Sequence, residues 1–201
     1  TGWMNNPDIL FDDKILRKVA KIVKEVNKEV AAIIGINPAA RTTCVKPSGN
    51  ASVLLQTASG IHAEHSPMYI RNVQMNKESE ITQAIMKTNP YMVEESVWSA
   101  GGTDVVVSFP ILPKKGSIYK DDLLGVKHLE LVKTAQQYWV EAGTNEDLCA
   151  DAGVRHNVSN TIIVDDWDEV EKYVFENGGR EFLLSKLGLS NDEILQATEK
   201  F

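Results

Sequence analysis

The stretch Lys46-Pro47-Ser48-Gly49-Asn50-Ala51-Ser52 holds the residues best suited to chemistry. A short β-branched run before it and a helix start after it gather several free backbone N–H groups around one point, and such a point attracts phosphate. The helix end carries roughly half a positive charge. Gly49 lets an oxygen approach the main chain closely, Ser48, Asn50 and Ser52 offer side-chain hydrogen bonds, and Lys46 offers a full charge. The same residues also suit a capped helix after a proline turn. The loop is not a Walker motif, because no Gly-Lys-Ser/Thr ends it.

Other groupings carry weaker signals. Gly60-Ile61-His62-Ala63-Glu64-His65 sets two imidazoles three apart around a carboxylate. That spacing on a loop fixes no metal geometry and names no third ligand, so structural or surface histidines are expected. In His156-Asn157-Val158-Ser159-Asn160-Thr161 the period of two puts Asn157, Ser159 and Thr161 on one strand face, which suits a polar pocket or a solvated side. Cys44 and Cys149 have no activating base near them in sequence. No nucleophile elbow, GxGxxG or HExxH is present.

The elements that position these groups alternate. Apolar residues from Ile15 to Ile34 recur at three- and four-residue steps and predict one long amphipathic helix over 8–34, stopped by Gly35 and followed by Pro38. Arg41-Thr42-Thr43-Cys44-Val45 predicts a strand running into the turn, and Ser48-Gly49-Asn50-Ala51-Ser52 leads into a helix start at Val53-Leu54-Leu55 with hydroxyl and amide side chains at the cap positions. Further strands are predicted over 68–75, 104–109 and 156–164. The Val105-Val106-Val107 run points to burial on both faces, with Pro110 and Pro113 ending that strand. Helices are predicted over 77–88, 122–142 and 167–176, the last capped by Asp165-Asp166, and two short ones over 180–187 and 191–200. Helices alternating with short apolar strands place the chain in the α/β class.

The 201 residues, 43% hydrophobic and 24% charged, exclude collagen, low-complexity disorder and a disulfide scaffold. With 21 basic against 28 acidic residues the charge is −7, so the overall field repels polyanions and no basic stripe offers a nucleic-acid surface. Two cysteines without Cys-x-x-Cys spacing suit a reducing, cytoplasmic compartment. No apolar run reaches membrane-spanning length and no export signal opens the chain, so neither membrane nor nucleic acid is an expected partner. The sequence begins with Thr, as a processed product or a piece of something longer would.

Arg41-Thr42-Thr43-Cys44-Val45-Lys46-Pro47-Ser48-Gly49-Asn50-Ala51-Ser52, Gly60-Ile61-His62, Tyr69-Ile70-Arg71, Gln137-Tyr138-Trp139 and His156-Asn157-Val158-Ser159-Asn160-Thr161, in that order, form an ordered set far more specific than any one member. The set resembles the C-terminal part of the catalytic domain of adenosylcobalamin-dependent (class II) ribonucleotide reductases, the ribonucleoside-triphosphate type above all, over roughly residues 7 to 177. The resemblance implies part of a ten-stranded α/β barrel over 1–177; the helical tail read over 178–201 is unlike the family's usual continuation. It implies that Pro47, Ser48, Gly49, Asn50, Ala51 and Ser52 hold the substrate's phosphates, with Lys46 and either Arg41 or Arg71 adding charge. In the complete enzyme it implies adenosylcobalamin, a ribonucleoside triphosphate substrate, a thioredoxin-like reductant and radical chemistry on a finger-loop cysteine. That Asn-Pro-Cys-Gly-Glu motif is absent here, as is a C-terminal Cys-x-x-Cys, so no catalytic residue is assigned. The chain reads as part of a reductase. A split subunit acting only with a partner that carries the radical cysteine, and a plain phosphate-binding α/β protein, are the alternatives.

Overall fold

The computed structural model describes residues 1–151 and 153–179. Helix α1 spans Pro7–Leu10 and α2 spans Asp13–Ile34. They replace the single helix expected over 8–34. Phe11 breaks the run by packing its ring on Trp3, centroid to centroid 5.4 Å, and Asp12 restarts it by accepting from Ile15 N at 2.8 Å. Gly35 closes α2 in the left-handed conformation that a Cβ disfavours, as its position after the last apolar residue predicts.

Helix α3 spans Gly49–Leu54, β1 Tyr69–Asn76, α4 Glu80–Thr88, β2 Val93–Glu95 and β3 Asp104–Ile111. The strands form one antiparallel sheet of order β1-β3-β2, with Tyr69 opposite Ile111, Asn76 opposite Asp104 and Val93 opposite Val107. Two expectations fail in β3. Val105 and Val107 are buried but Val106 is only half-buried, because one face of this sheet is partly solvated. Pro110 continues the strand instead of ending it: β2 pairs only as far as Val107, and an open edge tolerates a missing N–H.

Helix α5 spans Gly125–Ala135 and runs into a π-helical turn, Gln136–Glu141; α6 spans Trp167–Val174. The helix expected over 122–142 thus starts late and changes pitch. Its start is set by Gly125, at φ 44° with its N–H on Ile163 O at 2.8 Å. Asp166 caps α6 by accepting from Asp168 N and Glu169 N, as its place before the helix predicts. The strands expected over 41–45 and 156–164 are extended segments joined by one parallel bridge, Val45 to Val158. The helices expected over 180–187 and 191–200 lie outside the described residues. The observed class is mixed α/β, with a three-stranded sheet as its regular β element among the described residues.

The core gathers Trp3, Met4, Leu16, Val45, Ile61, Leu123 and Ala135, so the N-terminal segment, α2, the 45 segment and α5 bury one another. His128 lies inside it, 3% exposed, with Nε2–H donating to Ile61 O at 3.0 Å. Burial is the main cause holding this imidazole below its ordinary value of 6.5, and nearby His62 adds to it. The unfolded chain therefore takes up this proton more readily than the native one. Stability from this group is complete above about pH 6.5 and is lost as pH falls towards the native value. Urea titrations across that range should show a steeper acid loss in the wild type than in His128→Gln; equal slopes would contradict the assignment.

Candidate phosphate-binding site

The 41–46 segment is held from both sides before it reaches the loop. Thr42 N donates to Gly143 O at 3.0 Å, and Thr43 Oγ donates to Trp139 O at 2.6 Å, a carbonyl presented by the π turn. Gly143 allows this contact: a Cβ there would lie 1.9 Å from Thr43 Oγ. Trp139 Nε1 donates to Cys44 O at 3.1 Å. On the other side Val45 N donates to Asn157 O and Ser159 N donates to Val45 O. Lys46 then bonds Asn157 Oδ1 at 2.6 Å, so the two motifs that the sequence separates by more than a hundred residues meet here.

Ser48 precedes α3, but its side chain does not cap the helix. Its hydroxyl donates to Thr1 Oγ at 2.5 Å, while its N–H donates to Ser59 Oγ at 3.0 Å. Ser52, 2% exposed, donates its hydroxyl to Gly49 O, and its N–H closes the first helical turn on Ser48 O. Side-chain hydroxyls are thus committed within the loop. The N–H groups of Gly49 and Ala51 have no partner among the described residues. Pro47 and Gly49 are exposed, which leaves the loop's outer surface open.

The neighbouring turn supports the loop from beneath. Gly60 adopts φ 55°, and a Cβ there would sit 2.7 Å from Lys46 O. Gly2 N reaches Ala58 O, Trp3 N reaches Gly60 O, and Gly60 N reaches Thr1 Oγ. His62 is fixed in one tautomer: Nδ1–H donates to Ser59 O at 2.8 Å and Nε2 accepts from Thr161 N at 3.0 Å. Glu64, 4% exposed, accepts from Asn5 Nδ2 at 2.7 Å and from Tyr69 OH at 3.2 Å, and Arg71 Nη2 donates to that same phenol oxygen at 3.0 Å. Burial first and Glu64 second push the Tyr69 phenol up, so it stays protonated and donates. Ser59, His62, Glu64, His65, Tyr69 and Arg71 line a cleft of about 340 Å³.

The geometry unites Lys46, the loop, Asn157 and Thr161, and leaves Arg41 on a bridge with Thr144 instead. The two histidines and Glu64 do not converge: among the described residues no three His, Cys, Asp or Glu side chains are placed to hold a metal. Sequence reasoning missed Thr1, Thr43, Gly143 and Asn5, which act through contacts far apart in the chain. Gly60-Ile61-His62 carried the one available signal, a glycine beside a histidine within the ordered motif set.

A mixed α/β fold that presents an extended segment, a glycine turn and a short helix in this order matches a known architecture. The chain aligns with a crystal structure of a B12-dependent (class II) ribonucleotide reductase at TM-score 0.54 and 19% identity, over 63% of this chain and 18% of that one. At that identity the likeness is one of fold. In sequence the chain is 29% identical over 121 residues to a probable adenosylcobalamin-dependent ribonucleoside-triphosphate reductase of Dictyostelium discoideum. It is 23% identical over 120 residues to the adenosylcobalamin-dependent ribonucleoside-triphosphate reductase of Euglena gracilis. Each alignment covers 60% of this chain and 16% of the relative, so the chain spans about a sixth of the length of the reductases it resembles. No family model matches it.

Gly60→Ala should cost roughly 1–3 kcal/mol, because it forces a side chain into a left-handed backbone against a main-chain oxygen that cannot yield. Urea denaturation measures this, and a loss within 0.5 kcal/mol, the usual range for a neutral surface change, would show that the turn does not depend on glycine.

Proposed function

We propose that this chain is the phosphate-binding segment of a class II ribonucleotide reductase that reduces ribonucleoside triphosphates in the cytoplasm, with 1–177 contributing to its α/β barrel and 178–201 forming a tail. The observation that carries the reading is the pair of unpartnered N–H groups at Gly49 and Ala51, in the loop where the ordered motif set puts the substrate's phosphates. Pro47 and Ser48 shape the entry to the turn, Ser52 braces its first carbonyl, and Lys46 on Asn157 supplies charge at its rim. Charge-assisted hydrogen bonds from such donors are shorter and stronger than neutral ones, which suits a triphosphate approaching a protein of charge −7. Among the described residues no helix is long and apolar enough to cross a membrane.

A cleft of about 710 Å³ is walled by Lys21, Lys24, Lys28, Glu25, Glu146 and Asp147 with Pro38 and Leu148 among them, a charged groove that does not suit the broad apolar face of a corrin. In this reading the cofactor, the radical cysteine and the dithiol that a thioredoxin-like protein would re-reduce belong to the rest of the complete enzyme. Cys44 is exposed and Cys149 half-buried, its thiol donating to Asn145 O. This segment's part is to hold the substrate's phosphates and so fix the ribose relative to chemistry supplied elsewhere.

Amide NMR during a titration with a ribonucleoside triphosphate should move Gly49, Asn50, Ala51 and Ser52. Ser48→Ala removes the hydroxyl that braces the turn on Thr1 and should weaken binding by roughly two- to tenfold through the loss of that hydrogen bond, with a smaller effect on folding. Shifts spread away from the loop, or binding untouched by the substitution, would favour a plain phosphate-binding protein or remove the site altogether.

A further inference from the structure

Arg71 stands where two clefts meet. One, of about 340 Å³, is the cleft walled by Ser59, His62, Glu64 and Tyr69; the other, of about 320 Å³, is walled by Val53, Gln56 and residues 109–112, and Arg71 is common to both. Each cleft borders the proposed phosphate loop. On one side Ser59 Oγ accepts from Ser48 N at 3.0 Å. On the other, Val53 lies one turn along α3 from Gly49 and on the same side of the helix. A Cβ at Gly49 would meet no described atom within 4 Å, so that side of the helix is open at its start.

The guanidinium is held from behind. Arg71 Nη2 donates to Tyr69 OH at 3.0 Å, which takes one of its five N–H donors, and Tyr69 OH donates to Glu64 Oε2 at 3.2 Å. Arg71 is also pinned on β1, where it pairs with Phe109 of β3. Glu64 is 4% exposed and its two oxygens accept from Asn5 Nδ2 and Tyr69 OH, so its charge is engaged within the protein. A planar fork fixed in this way suits a phosphate, which it can meet through two parallel hydrogen bonds, and fixing it beforehand lowers the cost of binding. Lys46 precedes the turn, with its Nζ on Asn157 Oδ1 at 2.6 Å, whereas Arg71 shares a cleft with the helix that follows it.

We infer that Arg71 binds the terminal phosphate of a ribonucleoside triphosphate whose other phosphates lie on the loop, and so makes the site select triphosphates over diphosphates. This rests on the phosphate-loop reading. Main-chain N–H groups of the loop hold either nucleotide, but a diphosphate ends short of Arg71 and forgoes its charge-assisted hydrogen bonds. Selectivity then comes from one side chain across the cleft and not from the turn itself.

The test is calorimetric titration of the 201-residue chain with cytidine triphosphate and cytidine diphosphate, with amide NMR at Gly49 and Ala51 in parallel. The wild type should bind the triphosphate at least about tenfold more tightly, the scale of a charge-assisted hydrogen bond. Arg71→Gln should lose about tenfold for the triphosphate and less than about twofold for the diphosphate. Diphosphate shifts at Gly49 and Ala51 should survive in that variant, which also shows it to be folded. Arg71→Lys keeps the charge without the fork and should retain part of the preference. Equal affinity of the wild type for the two nucleotides, or an equal loss of both in Arg71→Gln, would overturn the inference and leave the loop as a site. A preference abolished by Lys46→Gln and untouched by Arg71→Gln would overturn it as well, assigning the terminal phosphate to Lys46. If neither nucleotide shifts Gly49 and Ala51, the phosphate-loop reading falls and the inference with it.

Discussion

The contact on which the rest depends is the seating of Thr43 against Gly143. A hydroxyl bonded to the carbonyl of a π turn, with no room for a Cβ on the facing residue, pins the 41–46 segment to the end of α5. Everything downstream inherits that placement: Val45 enters the core and meets the 157–159 backbone, Lys46 reaches Asn157, and the chain turns at Pro47 with its helix N–H groups facing outward. π turns are uncommon and lie frequently at functional sites. Here the altered pitch has a definite use, because it offers the Trp139 carbonyl to Thr43 and the indole to Cys44.

The loop's chemistry follows from what its own side chains have already spent. The Ser48 hydroxyl is tied to Thr1, the Ser52 hydroxyl to Gly49 O, and the Ser59 hydroxyl accepts from Ser48 N, so the proposed anion site draws on main-chain donors. Such donors are rigid and need no reordering when a ligand arrives, which reduces the cost of binding. His62 extends the rigidity across the site by joining Ser59 to Thr161. The Asn5–Glu64–Tyr69–Arg71 chain gives the neighbouring cleft a buried carboxylate without a direct ion pair, stabilised by neutral donors on both oxygens.

How much of this is legible in the sequence depends on the range of the forces involved. The α2 periodicity, its Gly35 stop, the Asp166 cap and the turn into a helix after Ser48 are local and are read correctly, whereas the expected side-chain cap of that helix is not formed. The break at Phe11 arises because its ring prefers Trp3 to the helix, a tertiary contact invisible to periodicity. The Val105–Val107 run misleads because composition cannot tell a sheet buried on both faces from one with a half-solvated side. The segments 41–45 and 156–164 have strand residues yet form only one bridge between them, as strands do when their other neighbours lie elsewhere. The proposed phosphate loop stands out as a motif; its dependence on Thr1, Thr43 and Gly143 does not, because those residues lie far from it or carry no unusual type.

We propose that this chain recognises a nucleotide by its phosphates, through the turn at Ser48–Ser52. Isothermal titration calorimetry with a ribonucleoside triphosphate and with the same ribonucleoside lacking phosphates tests this recognition most directly. Measurable binding of the triphosphate and none of the unphosphorylated nucleoside is expected. Equal binding of the two, or binding of neither by a folded chain, would contradict it.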